Sequence, residues 1–129
     1  MKGEDNMIWQ ELANYISERF EVAKITEDAI GFFYFTNDGS EIGMFCSTYE
    51  DAFGEWLEVN ACVGALSTTD LYKVACRDGV YIINDQIWIR QAYPLSLVIM
   101  PLKSGAACET SIRQILYNLS TEAAMGRYL

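Results

Sequence analysis

Histidine is absent from the 129 residues. Its absence removes the commonest general base at neutral pH and the commonest metal ligand. Cysteine occurs at Cys46, Cys62, Cys76 and Cys108 but never as a Cys-x-x-Cys pair. With no histidine to help, a zinc site would need all four sulfurs from scattered elements. Long apolar runs are also missing. The nearest, Leu95 to Leu102, is broken by Ser96 and falls far short of the ~20 residues that span a bilayer. The opening Met-Lys-Gly-Glu-Asp-Asn has no signal-peptide core, so disulfides gain no support from an oxidising compartment. Gly39, Gly43, Gly54, Gly64 and Gly79 are dispersed and build no phosphate loop. The expectation is a soluble, cytoplasmic domain with no catalytic, cofactor-binding or metal-ligating residues and no cofactor.

Positive charge is absent from a long central stretch: no Lys or Arg lies between Lys24 and Lys73. That stretch carries nine acids, Glu27, Asp28, Asp38, Glu41, Glu50, Asp51, Glu55, Glu58 and Asp70. The chain totals 18 acids and 9 bases for a net charge of −9, so the remainder is balanced and the whole excess sits in one segment. Such a surface repels phosphates, which argues against nucleic acid and anionic membrane as partners and favours a basic or amphipathic protein segment. The plainer reading is that the charge keeps an apolar-rich protein dissolved.

What is present is hydrophobic patterning, with 51% apolar and 13% aromatic residues, enough for one domain with a single core. Ile8, Leu12, Tyr15, Ile16 and Phe20 recur at steps of three and four and predict a helix over Met7 to Phe20, capped by Asp5 or Asn6. A short extended piece at Val22 to Ile25 follows. Ile30 to Thr36 reads as a strand with aromatics on both faces, so it should lie centrally or have its second face covered. Asn37-Asp38-Gly39-Ser40 supplies turn chemistry. Glu41 to Thr48 alternates with Ile42, Met44 and Cys46 on one side and Phe45 on the other. After a loop at Tyr49 to Gly54, Glu55 to Val63 alternates again, with Leu57, Val59, Ala61 and Val63 opposed to Trp56, Glu58, Asn60 and Cys62. Cys46 and Cys62 thus read as small buried hydrophobes.

Ser67-Thr68-Thr69-Asp70 matches a capping box and predicts a helix over Thr68 to Arg77, stopped by Gly79. Val80 to Ile83 and Gln86 to Gln91, joined by Asn84-Asp85, form the clearest hairpin in the chain. Leu95 to Leu102 fits an edge strand, an irregular packed segment or a short helix. Ile112, Ile115, Leu116, Leu119 and Ala123 mark a last helix, opened by Ser104 or Thr110 and ended by Gly126. The fold class is α+β: one antiparallel sheet, a three-strand meander plus a two-strand hairpin, packed against helices in the order α-β-β-β-α-β-β-α.

This order, with W-L-E-V-N-A-C-V-G leading into the capped helix and V-Y-I-I-N-D-Q-I-W-I-R beyond it, resembles the secretion-chaperone-like fold of class I type III secretion chaperones and the YbjN-type family. The resemblance covers nearly the whole chain and implies a homodimeric, non-enzymatic binder of an extended or amphipathic segment of another protein. Some cyanobacterial relatives in that group look like carboxysome shell-assembly chaperones, and the resemblance extends that role to this chain.

The expected partner-binding residues are Phe33, Phe35, Phe45, Trp56, Glu58 and Trp88, aromatic or acidic positions on strands whose other side supplies the core. The expected dimer interface is Leu95, Leu97, Val98, Ile99 and Met100. Paired carboxylates make a poor catalytic centre here, because strand geometry sends Glu55 and Glu58 to opposite faces, and no histidine activates a Ser or Cys nucleophile. The sequence therefore predicts a protein-binding chaperone or assembly adaptor. Its competitor is a small acidic immunity or inhibitor protein that masks a basic partner.

Overall fold

The computed structural model describes residues 3–65 and 79–124. Their order is α1 (Gly3–Arg19), β1 (Glu21–Ile25), β2 (Ala29–Phe35), β3 (Glu41–Asp51), β4 (Gly54–Ala65), β5 (Val80–Ile83), β6 (Gln86–Pro94), α2 (Leu95–Ser104) and α3 (Ile112–Ala124). The six strands form one antiparallel sheet in the order β1-β2-β3-β4-β6-β5. The α+β class, with helices packed on an antiparallel sheet, is as the sequence indicates. The capped helix expected over Thr68 to Arg77, the thiol of Cys76, the side chain of Ile8 and the stop at Gly126 lie outside the described residues.

Alternation decides the two faces of the sheet. Ile30 and Phe32 on β2, Ile42, Met44 and Cys46 on β3, Leu57, Val59 and Ala61 on β4, and Ile89 on β6 are buried in one cluster. The helices close it with Leu12 and Ile16 of α1, Val98 and Ile99 of α2, and Ile112, Ile115, Leu116 and Leu119 of α3. Each fully buried Leu, Ile or Phe contributes roughly 1.5–3 kcal/mol by leaving water. Cys46 sits wholly inside this layer, and desolvation pushes its thiol up to about 12.

Local details extend or correct the sequence reading, and at Leu95 to Leu102 the short helix among the three alternatives is the one formed. The helix α1 starts at Gly3, so Asp5 and Asn6 fall inside its first turns instead of capping it. The piece at Val22 to Ile25 becomes a full edge strand, antiparallel to β2, with a bulge between Val22 and Lys24; this places β2 inside the sheet. Leu95 to Leu102 resolves as α2, which ends where Gly105 adopts φ 73° and donates its N–H to the Pro101 carbonyl at 2.8 Å. The opener of α3 is Ser111, not Ser104 or Thr110: its hydroxyl accepts the Gln114 N–H at 3.3 Å.

The expected loop at Tyr49 to Gly54 is instead hairpin. Strand pairing continues through Tyr49↔Trp56, Glu50↔Glu55 and Asp51↔Gly54, closed by Ala52 and Phe53. On one flank β2 accompanies β3 only to Ser47, and on the other β6 accompanies β4 only from Trp56. Tyr49 to Glu55 therefore project as a two-stranded finger. At the opposite end Asn84 (φ 51°) and Asp85 (φ 62°) make the two-residue turn between β5 and β6 that their residue types predict.

Candidate protein-binding face

The second face of the sheet is fixed by the same register. One row across it reads Gly31, Phe45, Asn60 and Arg90. The next places Cys62, Trp88 and Tyr81 side by side, with Phe33 opposite Gly43. Beyond these lie Ser47, Glu58 and Ala92, and then Tyr49, Trp56 and Pro94 at the root of the finger. Among the described residues, the helix residues gathered in the core all meet the other face. Phe45 and Phe33 each lie opposite a glycine (Gly31 and Gly43), which leaves low floor beside each ring.

At the centre, Asn60 is completely buried although it belongs to this face. Its amide nitrogen donates to Glu58 Oε1 at 3.2 Å and to the Phe45 carbonyl at 3.4 Å. Its amide oxygen accepts the Tyr81 hydroxyl at 2.5 Å. Burial raises the Tyr81 phenol above its ordinary value, Glu58 adds to the rise, and Arg90, whose guanidinium stands 5.2 Å from the ring centre, opposes it. Tyr81 thus remains a hydroxyl donor across the physiological range. Trp88 stacks obliquely on Phe45 at 5.4 Å, and its indole N–H is buried with no acceptor among the described residues. A shallow depression of about 670 Å³ opens beside this cluster, lined by Tyr49, Glu58, Gly79, Arg90, Gln91 and Ala92.

The register places all six sequence-selected residues on this face, but only part of the set converges. Phe45, Trp88 and Glu58 surround Asn60, and Phe33 lies in the Trp88 row. Trp56 stands at the finger, its indole N–H donating to Asp51 Oδ1 at 2.9 Å. Phe35, 53% exposed, ends its strand and borders a separate hollow of about 340 Å³ shared with Tyr117, Ser120 and Thr121 of α3. The five residues expected as a dimer interface need correction. In a helix they point in different directions, so Leu95, Val98 and Ile99 are buried in the subunit core, and only Leu97 (48%) and Met100 (69%) face outward.

The sequence selection missed Asn60, Tyr81 and Arg90. A usable signal existed: the two-residue turn at Asn84-Asp85 fixes Tyr81 opposite Trp88. No group of three or more Cys, Asp or Glu side chains is gathered as a metal site among the described residues. No described helix is long and apolar enough to cross a membrane. Comparisons with protein-family models, with curated proteins and with solved structures find no match to the chain.

Proposed function

We propose that the chain is a non-enzymatic protein-binding module, a chaperone or assembly adaptor, whose second sheet face receives an extended or amphipathic segment of another protein. The observation that carries this reading is the composition of that face: Phe33, Phe45 and Trp88 lie half-buried around a polar centre of Asn60, Glu58 and Tyr81, with Trp56 half-buried at the root of the finger. Aromatic rings supply area that a partner can cover at low entropic expense. The polar centre supplies hydrogen bonds that orient it, and the unmatched Trp88 N–H gains from a partner carbonyl. The excess of acid between Lys24 and Lys73 selects a basic client by steering. Self-association belongs to this reading, with Leu97 and Met100 as the outward residues available for it.

Suppression of aggregation of reduced, unfolded lysozyme, a basic client, tests the proposal by light scattering. The expected result is protection by the wild-type protein at near-equimolar ratio and its loss in a Phe33→Ala/Phe45→Ala variant that keeps its circular dichroism spectrum. Equal protection by that variant, or none by the wild type, overturns it.

A further inference from the structure

Resting on the protein-binding reading, we propose that the β3–β4 finger is a recognition prong for a segment bearing Lys or Arg beside apolar residues, with Phe53 as the apolar anchor. Phe53 is 89% exposed, the most exposed large apolar side chain among the described residues. Turn chemistry does not ask for it, since tight two-residue turns favour Gly, Asn and Asp. Nor is the tip loose. Asp51 Oδ1 accepts both the Phe53 backbone N–H at 2.8 Å and the Trp56 indole N–H at 2.9 Å, which joins tip to root. The phenyl ring is therefore held out on an ordered support, so a partner pays little further ordering entropy to engage it.

The occupant follows from charge. Around Phe53 stand Glu50, Asp51 and Glu55, with Glu58 further down β4, and no basic residue occurs anywhere in β3 or β4. The rings of Tyr49, 41% exposed, and of Trp56 share their face of the finger with Asp51 and Glu58, while Glu50 and Glu55 pair on its other face and add to the same negative field. An acidic segment is repelled, and a purely apolar one would strip water from the carboxylates without repayment. A guanidinium or ammonium group satisfies carboxylates and aromatic faces together. Its apolar neighbours cover Phe53.

The test titrates the 15N-labelled protein with a synthetic amphipathic peptide of Leu and Arg, and with a Leu/Glu peptide of equal length. The expected result is saturable binding of the Leu/Arg peptide alone, with amide shifts concentrated at residues 49–56. Binding should weaken at least tenfold in Phe53→Ser and severalfold in Glu50→Gln, and stay unchanged in Glu41→Gln, an exposed acid at the opposite end of β3. Equal weakening by Glu41→Gln and Glu50→Gln reduces the binding to general charge attraction and overturns the proposal, as does shift confined to other parts of the molecule. Loss on Phe33→Ala/Phe45→Ala with Phe53→Ser unaffected overturns the prong and leaves the protein-binding reading standing. Absence of any binding overturns the prong, while the lysozyme result judges the reading on its own.

Discussion

At the scale of single residues, two positions have consequences that follow from geometry alone. Gly79 has φ +74°, and a Cβ there would stand 2.8 Å from the Arg90 carbonyl oxygen, part of the link in which Arg90 N–H donates to the Gly79 carbonyl at 2.7 Å. Gly79→Ala should lower stability by roughly 1–3 kcal/mol, from the unfavourable φ and the displaced β5–β6 contact, as read by urea unfolding. Asp38 accepts the Ser40 N–H at 2.9 Å and the Thr36 hydroxyl, which hold its carboxyl down to about 2. Its folded value lies below the unfolded one of about 3.9, so the turn's contribution is complete above pH ~4 and disappears as pH falls toward 2. NMR titration of the Asp38 carboxyl and the Ser40 amide should show one shared midpoint near 2. At this scale much was legible: Asn37 to Ser40 and Asn84-Asp85 announce their turns because few residue types tolerate those backbones. Asn60 was not, because a polar residue in an alternating strand reads as exposed until Tyr81 and Phe45 are known to seal it.

Among the elements, legibility tracks how strongly each one's own residues dictate it. The strands β3 and β4 and the helix α3 carry periodic apolar stripes, and Ile112, Ile115, Leu116, Leu119 and Ala123 are all buried. The strand β1 is only half-buried at Val22 and otherwise exposed; it exists because β2 offers it hydrogen bonds, which no local pattern records. The helix α2 was ambiguous because a run bounded by Pro94 and containing Pro101 suits several conformations, and burial of Leu95, Val98 and Ile99 settles it. Tyr49 to Gly54 lacks alternation and so predicts a loop; the pairing of the finger is inherited from the register of β3 with β4. For α3 the start is the vulnerable point. Ser111 both accepts from Gln114 and donates to the Cys108 carbonyl at 2.8 Å, so Ser111→Ala should destabilise the fold by about 1 kcal/mol, measurable as a lowered thermal midpoint.

For the whole molecule, the candidate face was legible because a period of two assigns every strand residue to one side or the other, and six selections made by parity share a side. Their grouping was not, since it depends on β6 lying between β4 and β5, an arrangement that brings Trp88 beside Phe45 across a long sequence separation. The charge asymmetry acts at this scale as well: the described part of the acid-only stretch, residues 25–65, contains β2, β3 and β4, and its carboxylates stand mainly in the finger and in the turns at either end of β2. The two margins of the sheet differ in another respect. On β1, Glu21, Lys24 and a bulge interrupt the outer ladder, whereas β5 is Val-Tyr-Ile-Ile with Ile82 and Ile83 both exposed and no charge along it. Strand-by-strand growth into larger aggregates is hindered at a charged, kinked border and invited at a smooth, greasy one. Among the described residues the hazard of fibre formation in concentrated preparations is accordingly one-sided, and it is the β5 border that a formulation or a solubilising lysine has to shield.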